Sequence, residues 1–184
     1  KNLHLSFPLF AKPVAEGTGK GIHSHSKILN IKDLTLVCQD LLNQFKQPVL
    51  VEEFLPGREF TIGMVGCQED SQVLGVIEVV LKKEAENDVY SYFNKENFEK
   101  LVTYQVPEPF VVQSCSQLAR AIWQVLGCRD GGRIDVRMDQ QGVPHFLEVN
   151  PLAGLRPHYS DLPILCQLNN ISYQEMLKKI MNSA

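Results

Sequence analysis

The order of apolar and polar positions divides the chain into short alternating runs, which read as strands, and longer runs at helical spacing. Strands are expected over 9–13, 26–29, 49–55, 58–65 and 72–80, with Pro56-Gly57 as a turn and 68–71 as a hairpin loop. Leu34, Val37, Cys38, Leu41, Leu42 and Phe45 recur at steps of three and four residues. A helix over 34–45 is therefore expected to bury one stripe, with Asp33 as its cap. Ser114 or Ser116 is expected to cap a second helix running to Leu126, with Leu118, Ile122, Val125 and Leu126 inward and Gly127 as its stop. Ser172-Tyr173-Gln174-Glu175 fits the S-x-x-E capping box and opens a last helix with Tyr173, Met176, Leu177 and Ile180 on one side.

The densest chemistry lies on two alternating runs, Gly131 to Met138 and His145 to Pro151, joined by the polar segment Asp139-Gln140-Gln141-Gly142-Val143-Pro144. They read as a hairpin. Successive strand side chains point to opposite faces, so Arg133 and Asp135 share one face, as do Glu148 and Asn150. A turn near Gln141-Gly142 sets Asp135 opposite Glu148 and Arg133 beside Asn150, while Ile134, Val136, Leu147 and Val149 face a core. Two carboxylates, an amide oxygen and an arginine on one surface suit Mg²⁺, which takes oxygen ligands and keeps water and phosphate in its shell. A hairpin with a solvated charged face is the alternative.

Upstream, Lys12 ends an apolar strand and precedes a loop with Gly17, Gly19 and Gly21. Glycines let backbone N–H groups approach a phosphate, and the lysine supplies positive charge. The GxxxxGK[ST] spacing is absent, so this is not a Walker loop, and a flexible connection is the plainer reading. Glu52-Glu53-Phe54-Leu55 offers an extended linker for a purine edge and a carboxylate for ribose, or else a solvated strand end. Residues 84–100, with Tyr90, Tyr92 and Phe93, show no clear period and read as a mobile loop, either closing over a site or lying on the surface.

Composition narrows the class. Hydrophobic content of 44% and charged content of 21% in 184 residues are ordinary values for one large domain or two small ones. A net charge of −3 gives no reason to expect nucleic acid or an anionic membrane surface. No run approaches the roughly 18 apolar residues of a spanning helix. The five cysteines are odd in number and scattered, as expected of buried thiols in a cytosolic protein. None of the five histidines is spaced as a metal pair, and no Ser-His-Asp or Cys-His arrangement stands out. The chain opens at Lys1 without methionine and runs almost at once into a strand, as if cut from a longer protein.

Strand-Lys-Pro, EGxxxG, VEEFLPGREF, GxRIDV and LEVNP occur in that order from about Leu9 onward. In this the chain resembles the ATP-grasp superfamily, and within it the C-terminal part of the D-alanine–D-alanine ligases. The resemblance implies an α+β fold of two subdomains whose antiparallel sheets sandwich ATP: a first over 1–80 and a second over 81–184, without the N-terminal domain that usually precedes them. It implies an ATP-dependent carboxylate–amine ligase that forms an acyl phosphate and then an amide bond. It implies ATP and Mg²⁺ (or Mn²⁺) as cofactors, small-molecule substrates, cytoplasmic peptidoglycan precursor synthesis and no nucleic-acid or membrane partner, and it allows a homodimer. Roles follow residue by residue. Lys12 matches the lysine on the ATP phosphates, and Glu16 and Thr18 the phosphate loop. Glu52 and Leu55 match the adenine linker, and Glu59 the ribose carboxylate. Tyr92 and Lys95 match the closing loop. Asp135, Glu148 and Asn150 match the Mg²⁺ ligands, and Arg133 and the Gly154 N–H the oxyanion donors. Tyr159 and Ser160 match the acceptor-carboxylate site. Three positions depart from the family. Gly19 stands for a second loop serine, Glu96 for a tyrosine, and Pro151-Leu152-Ala153-Gly154 for a polar pair followed by Pro-Gly. These departures keep open a nucleotide-binding module without ligase activity, or an ATP-grasp ligase with other substrates.

Overall fold

In strand β1 (Leu9–Pro13), Leu9, Ala11 and Pro13 are buried while Phe10 and Lys12 are half-buried, the two-residue period expected of a strand with one covered face. The computed structural model describes residues 5–17, 19–82 and 101–183. β1 pairs antiparallel with β2 (Lys27–Ile28) and β3 (Val49–Glu53). Helix α1 (Ile31–Phe45) covers one face of this sheet. Leu9, Ala11, Ile28 and Leu41 are buried there, with Leu34, Val37, Cys38 and Phe45 packed against them. The cap is Asn30 rather than Asp33: its side-chain oxygen accepts from the N–H groups of Lys32 and Asp33. Leu42, expected in the stripe, is 46% exposed, because the buried line turns toward Leu41 and Phe45. Only Lys27 and Ile28 of the run 26–29 are strand; residues Ser24–Ser26 form a 3₁₀ turn.

The larger sheet has the order β6-β5-β4-β7-β8, with β4 (Glu59–Val65), β5 (Gln72–Leu81), β6 (Val102–Gln105), β7 (Gly131–Met138) and β8 (Pro144–Asn150). Phe60, Ile62, Met64, Ile134 and Val136 point to one face and are buried under helix α2 (Pro109–Val125). This helix begins well before Ser114. Proline is tolerated at the first helical position, where its missing N–H would have no partner in the helix. The longer helix buries Val111, Cys115, Ala119 and Trp123, so Val125 at 86% exposure and Leu126 at 52%, both expected inward, lie outside the buried stripe. Trp123 is fully buried, and its Nε1–H donates to the Gly66 carbonyl at 2.9 Å. Gly127, at φ +63°, ends the helix as expected.

The opposite face is partly covered by two helices, α3 (Asp161–Leu168) and α4 (Tyr173–Asn182). Leu162, Leu165, Cys166 and Met176 are buried there with Val65, Leu74 and Ile77. α3 sits close because Gly63 presents no side chain: a Cβ there would lie 2.8 Å from Leu165 and 3.0 Å from Leu162. α4 follows the expected capping box, the Ser172 hydroxyl accepting from the Glu175 N–H at 3.2 Å.

Two compact units result: Lys1–Leu55 with Leu81–Thr103, and Pro56–Val80 with Tyr104–Ala184. The expected division after residue 80 is thereby corrected. Residues 56–80 belong with the hairpin because β4 pairs with β7 along its whole length, from Glu59 opposite Arg137 to Val65 opposite Gly131. Among the described residues, no helix is long and apolar enough to cross a membrane.

Candidate active site

On the partly open face of the larger sheet, three neighbouring strands lay down rows of polar side chains. Thr61 stands opposite Asp135, and Asp135 opposite Glu148; one pair further, Gly63 stands opposite Arg133, and Arg133 opposite Asn150. Directly paired side chains of this kind have Cβ atoms about 4.5–5.5 Å apart, so the rows converge without help from loops. The register shifts between Asp135 and Val136, where β8 skips Leu147. Leu147 therefore leaves the expected alternation, and Phe146 stands opposite Val136.

Asp135 is buried and held on several sides. Thr61 Oγ1 donates to its Oδ1 at 2.9 Å, and Asn150 Nδ2 donates to its Oδ2 at 3.2 Å. The same amide donates to Glu148 Oε1 at 3.2 Å, so one NH₂ bridges both carboxylates. Arg133 Nε lies 3.4 Å from Asp135, and its Nη1 lies 2.6 Å from Asp161 Oδ2. Tyr104 donates its hydroxyl to the other Asp161 oxygen at 2.8 Å. Burial disfavours the charge on Arg133, but Asp135, Asp161 and Glu148 outweigh it and raise its pKa above the ordinary value. The arginine is therefore a fixed cation among three acids.

The residues present fit a divalent cation. The Asn150 NH₂ already places positive polarity between two carboxylates, and turning that amide offers its oxygen instead. The result is an all-oxygen set of two carboxylates and one amide. Among the described residues, no group of three His, Cys, Asp or Glu side chains gathers as a metal site; the third oxygen-bearing side chain beside Asp135 and Glu148 is the Asn150 amide.

Other expected site residues of this unit lie nearby in sequence or on the same strands. Glu59 pairs with Arg137 at 3.3 Å. Gly154 packs on Ser160, where a Cβ would come 2.7 Å from the hydroxyl oxygen. The Arg156 N–H donates to that hydroxyl at 3.2 Å, and the Arg156 guanidinium stacks 4.6 Å from the Tyr159 ring centroid.

In the smaller unit, the sheet face turned away from α1 carries Phe10, Lys12, Lys27 and Glu52. Lys12 Nζ lies 2.7 Å from Glu52 Oε1, and the Phe10 and Phe54 rings are 6.4 Å apart. Lys27 stands 4.6 Å above the Phe54 ring. Leu55 follows at the end of β3, half-buried. In the glycine loop, Gln47 acts as a clamp: its Oε1 accepts from the Ala15 N–H at 2.6 Å, and its Nε2 donates to Glu16 at 2.9 Å. Thr18, Tyr92 and Lys95 lie outside the described residues, as does the expected loop over 84–100.

Sequence reasoning missed Asp161, Tyr104, Arg137 and Gln47. The first two sit on α3 and β6, elements the apolar pattern did not indicate. The other two act through partners distant in the chain. Only Arg137 carried a signal, since alternation puts it on the face of Arg133 and Asp135.

The fold is the α+β arrangement of ATP-grasp proteins. It matches the VanG D-Ala:D-Ser ligase from Enterococcus faecalis with a TM-score of 0.75 at 24% identity, over 97% of this chain and 50% of that one. It matches the D-alanine–D-alanine ligase from Bacillus anthracis complexed with ATP with a TM-score of 0.71 at 23% identity, over 100% of this chain and 56% of that one. The family model described as the D-ala D-ala ligase C-terminus matches residues 2–182, and the chain belongs to that family. Among relatives, the D-alanine–D-alanine ligase of Buchnera aphidicola subsp. Schizaphis graminum is 30% identical, over 98% of this chain and 56% of that protein. That of Bordetella avium is 31% identical, over 98% of this chain and 55% of that protein. The chain thus spans just over half the length of these relatives.

Proposed function

We propose that the chain forms the nucleotide- and metal-binding part of an ATP-dependent carboxylate–amine ligase of the D-alanine–D-alanine ligase type. Its substrates are small molecules, D-alanine or a related carboxylate and amine, and its setting is cytoplasmic peptidoglycan precursor synthesis. No nucleic acid or membrane takes part, and the reading allows a homodimer, which sedimentation checks. The observation that carries the reading is the pair of polar rows, Thr61-Asp135-Glu148 and Arg133-Asn150, with one amide bridging two carboxylates.

Asp135, Glu148 and Asn150 hold Mg²⁺, which when bound spreads the negative charge of phosphate oxygens. Lys12, Glu16 and Thr18 attend the phosphates, Glu52 and Leu55 the adenine, and Glu59 the ribose. Arg133 and the Gly154 N–H donate to the oxyanion that forms when the amine attacks the activated carboxyl. Losing one such donor typically costs ~2.7–4 kcal/mol of transition-state stabilisation. Arginine suits this place because it stays charged and donates in a fixed fork. Tyr92 and Lys95 attend the nucleotide, and Tyr159 and Ser160 receive the acceptor.

One observation favours a second reading, nucleotide binding without ligation. The residue directly after Ser160 is the acidic Asp161, whose charge disfavours an acceptor's carboxylate beside it. An assay coupled to ADP release and screened over D- and L-amino acids separates the two. Amine-dependent ADP release supports the ligase; ATP binding with no turnover for any acceptor favours the second reading.

A further inference from the structure

Of the three acids around Arg133, two touch it, and it bonds them unequally. Its Nη1 lies 2.6 Å from Asp161 Oδ2, whereas its Nε stands 3.4 Å from Asp135. Asp161 is itself pinned, because the Tyr104 hydroxyl donates to its other oxygen at 2.8 Å. Asp161 is also the first residue of α3, whose Leu162 and Leu165 are fully buried against the Gly63 gap. Three elements, β6, α3 and β7, therefore fix where the guanidinium points.

The two acids compete for one cation. A guanidinium seated bidentately on Asp135 would occupy oxygens that a divalent ion needs and would set its own charge against that ion. The short contact to Asp161 draws it the other way. We propose that Asp161 is a positioning residue: it holds Arg133 off Asp135 and so keeps Asp135 available to a divalent cation. The inference rests on reading Asp135, Glu148 and Asn150 as a cation site. A further acid beside such a group suggests another ligand at first sight, but its closest bonds go to the arginine and the tyrosine.

The test measures Mn²⁺ retention by the whole chain, by water-proton relaxation, with and without a non-hydrolysable ATP analogue. Asp161→Asn is expected to weaken Mn²⁺ binding on the order of tenfold, the scale of one charge-assisted hydrogen bond. Asp161→Glu restores most of the loss. In an Arg133→Gln background, Asp161→Asn changes nothing further, since there is no guanidinium left to hold back. Tyr104→Phe, which removes only the pinning hydroxyl, gives a smaller loss of the same sign and serves if Asp161→Asn misfolds. Equal Mn²⁺ binding by wild type and Asp161→Asn overturns the role of Asp161 while leaving the cation site standing. So does a loss that persists unchanged in the Arg133→Gln background, which would make Asp161 a ligand itself. A wild-type chain that retains no Mn²⁺ overturns the cation site, and this inference with it.

Discussion

Substitution of Gly63 by alanine tests how the sheet and α3 together build the arginine site. The added Cβ would lie 2.8 Å from Leu165 Cδ2 and 3.0 Å from Leu162 Cδ1. Both leucines are fully buried, so their methyl groups have little room to move aside. Overpacking of this kind costs about 2 kcal/mol, which in a chain of this length lowers the melting temperature by roughly 4–8 °C. Relief comes by lifting the N-terminal half of α3, which also lengthens the 2.6 Å contact between Asp161 and Arg133. Calorimetry on Gly63→Ala, Gly127→Ala and their combinations with Leu165→Val separates this cause from backbone effects. Gly127 has open space around its Cβ position and φ +63°, so its alanine variant bears only a conformational cost of about 1 kcal/mol. Leu165→Val trims the clashing group and is expected to offset part of the Gly63→Ala loss, with no such coupling to Gly127→Ala. A Gly63→Ala protein as stable as wild type, or one whose loss adds simply to that of Leu165→Val, refutes the packing argument.

Further outcomes follow from other parts of the molecule. The Arg58 guanidinium bonds Glu78 at 2.7 and 2.6 Å and holds that carboxyl below its ordinary value of 4.5. A depressed folded-state value means that the stability is present above pH 4.5 and lost as the pH falls through the lower folded value; urea titrations are expected to show an acid slope in wild type and a shallower one in Glu78→Gln. Burial pushes the Cys115 thiol up to about 11 and the Cys166 thiol up to about 12, so mass spectrometry after iodoacetamide at pH 8 should find both unmodified in the native protein and modified in urea. Asp135→Asn and Glu148→Gln should each weaken Mg²⁺-dependent ATP turnover by at least tenfold while circular dichroism stays unchanged; unaltered Mg²⁺ dependence counts against these carboxylates as ligands.

The hairpin was legible in the sequence because two independent signals agreed. Alternation fixed which residues share a face, and the Gln141-Gly142 turn fixed which residues stand opposite, so Asp135 and Glu148 met as expected. The last helix was legible for a similar reason, its capping box being local. Other features depend on distant chain. The phase of α2 was misread because its start was placed at Ser114 or Ser116, whereas the helix opens at Pro109, a residue type well suited to the first helical position. Helix α3 has only eight residues, with Pro163 in its first turn, so its apolar spacing carries little signal and Asp161 went unnoticed. Arg58, Glu78, Gln105 and Glu108 form one network across separations of 20, 27 and 50 residues, which no local pattern reveals.

The most direct measurement is a crystal of the protein grown with Mn²⁺ and a non-hydrolysable ATP analogue, read by anomalous scattering. The account expects a manganese peak within about 2.5 Å of an oxygen of both Asp135 and Glu148, with the Asn150 amide turned to present its oxygen. A map with no peak there, the Asn150 NH₂ still bridging the two carboxylates, would contradict it.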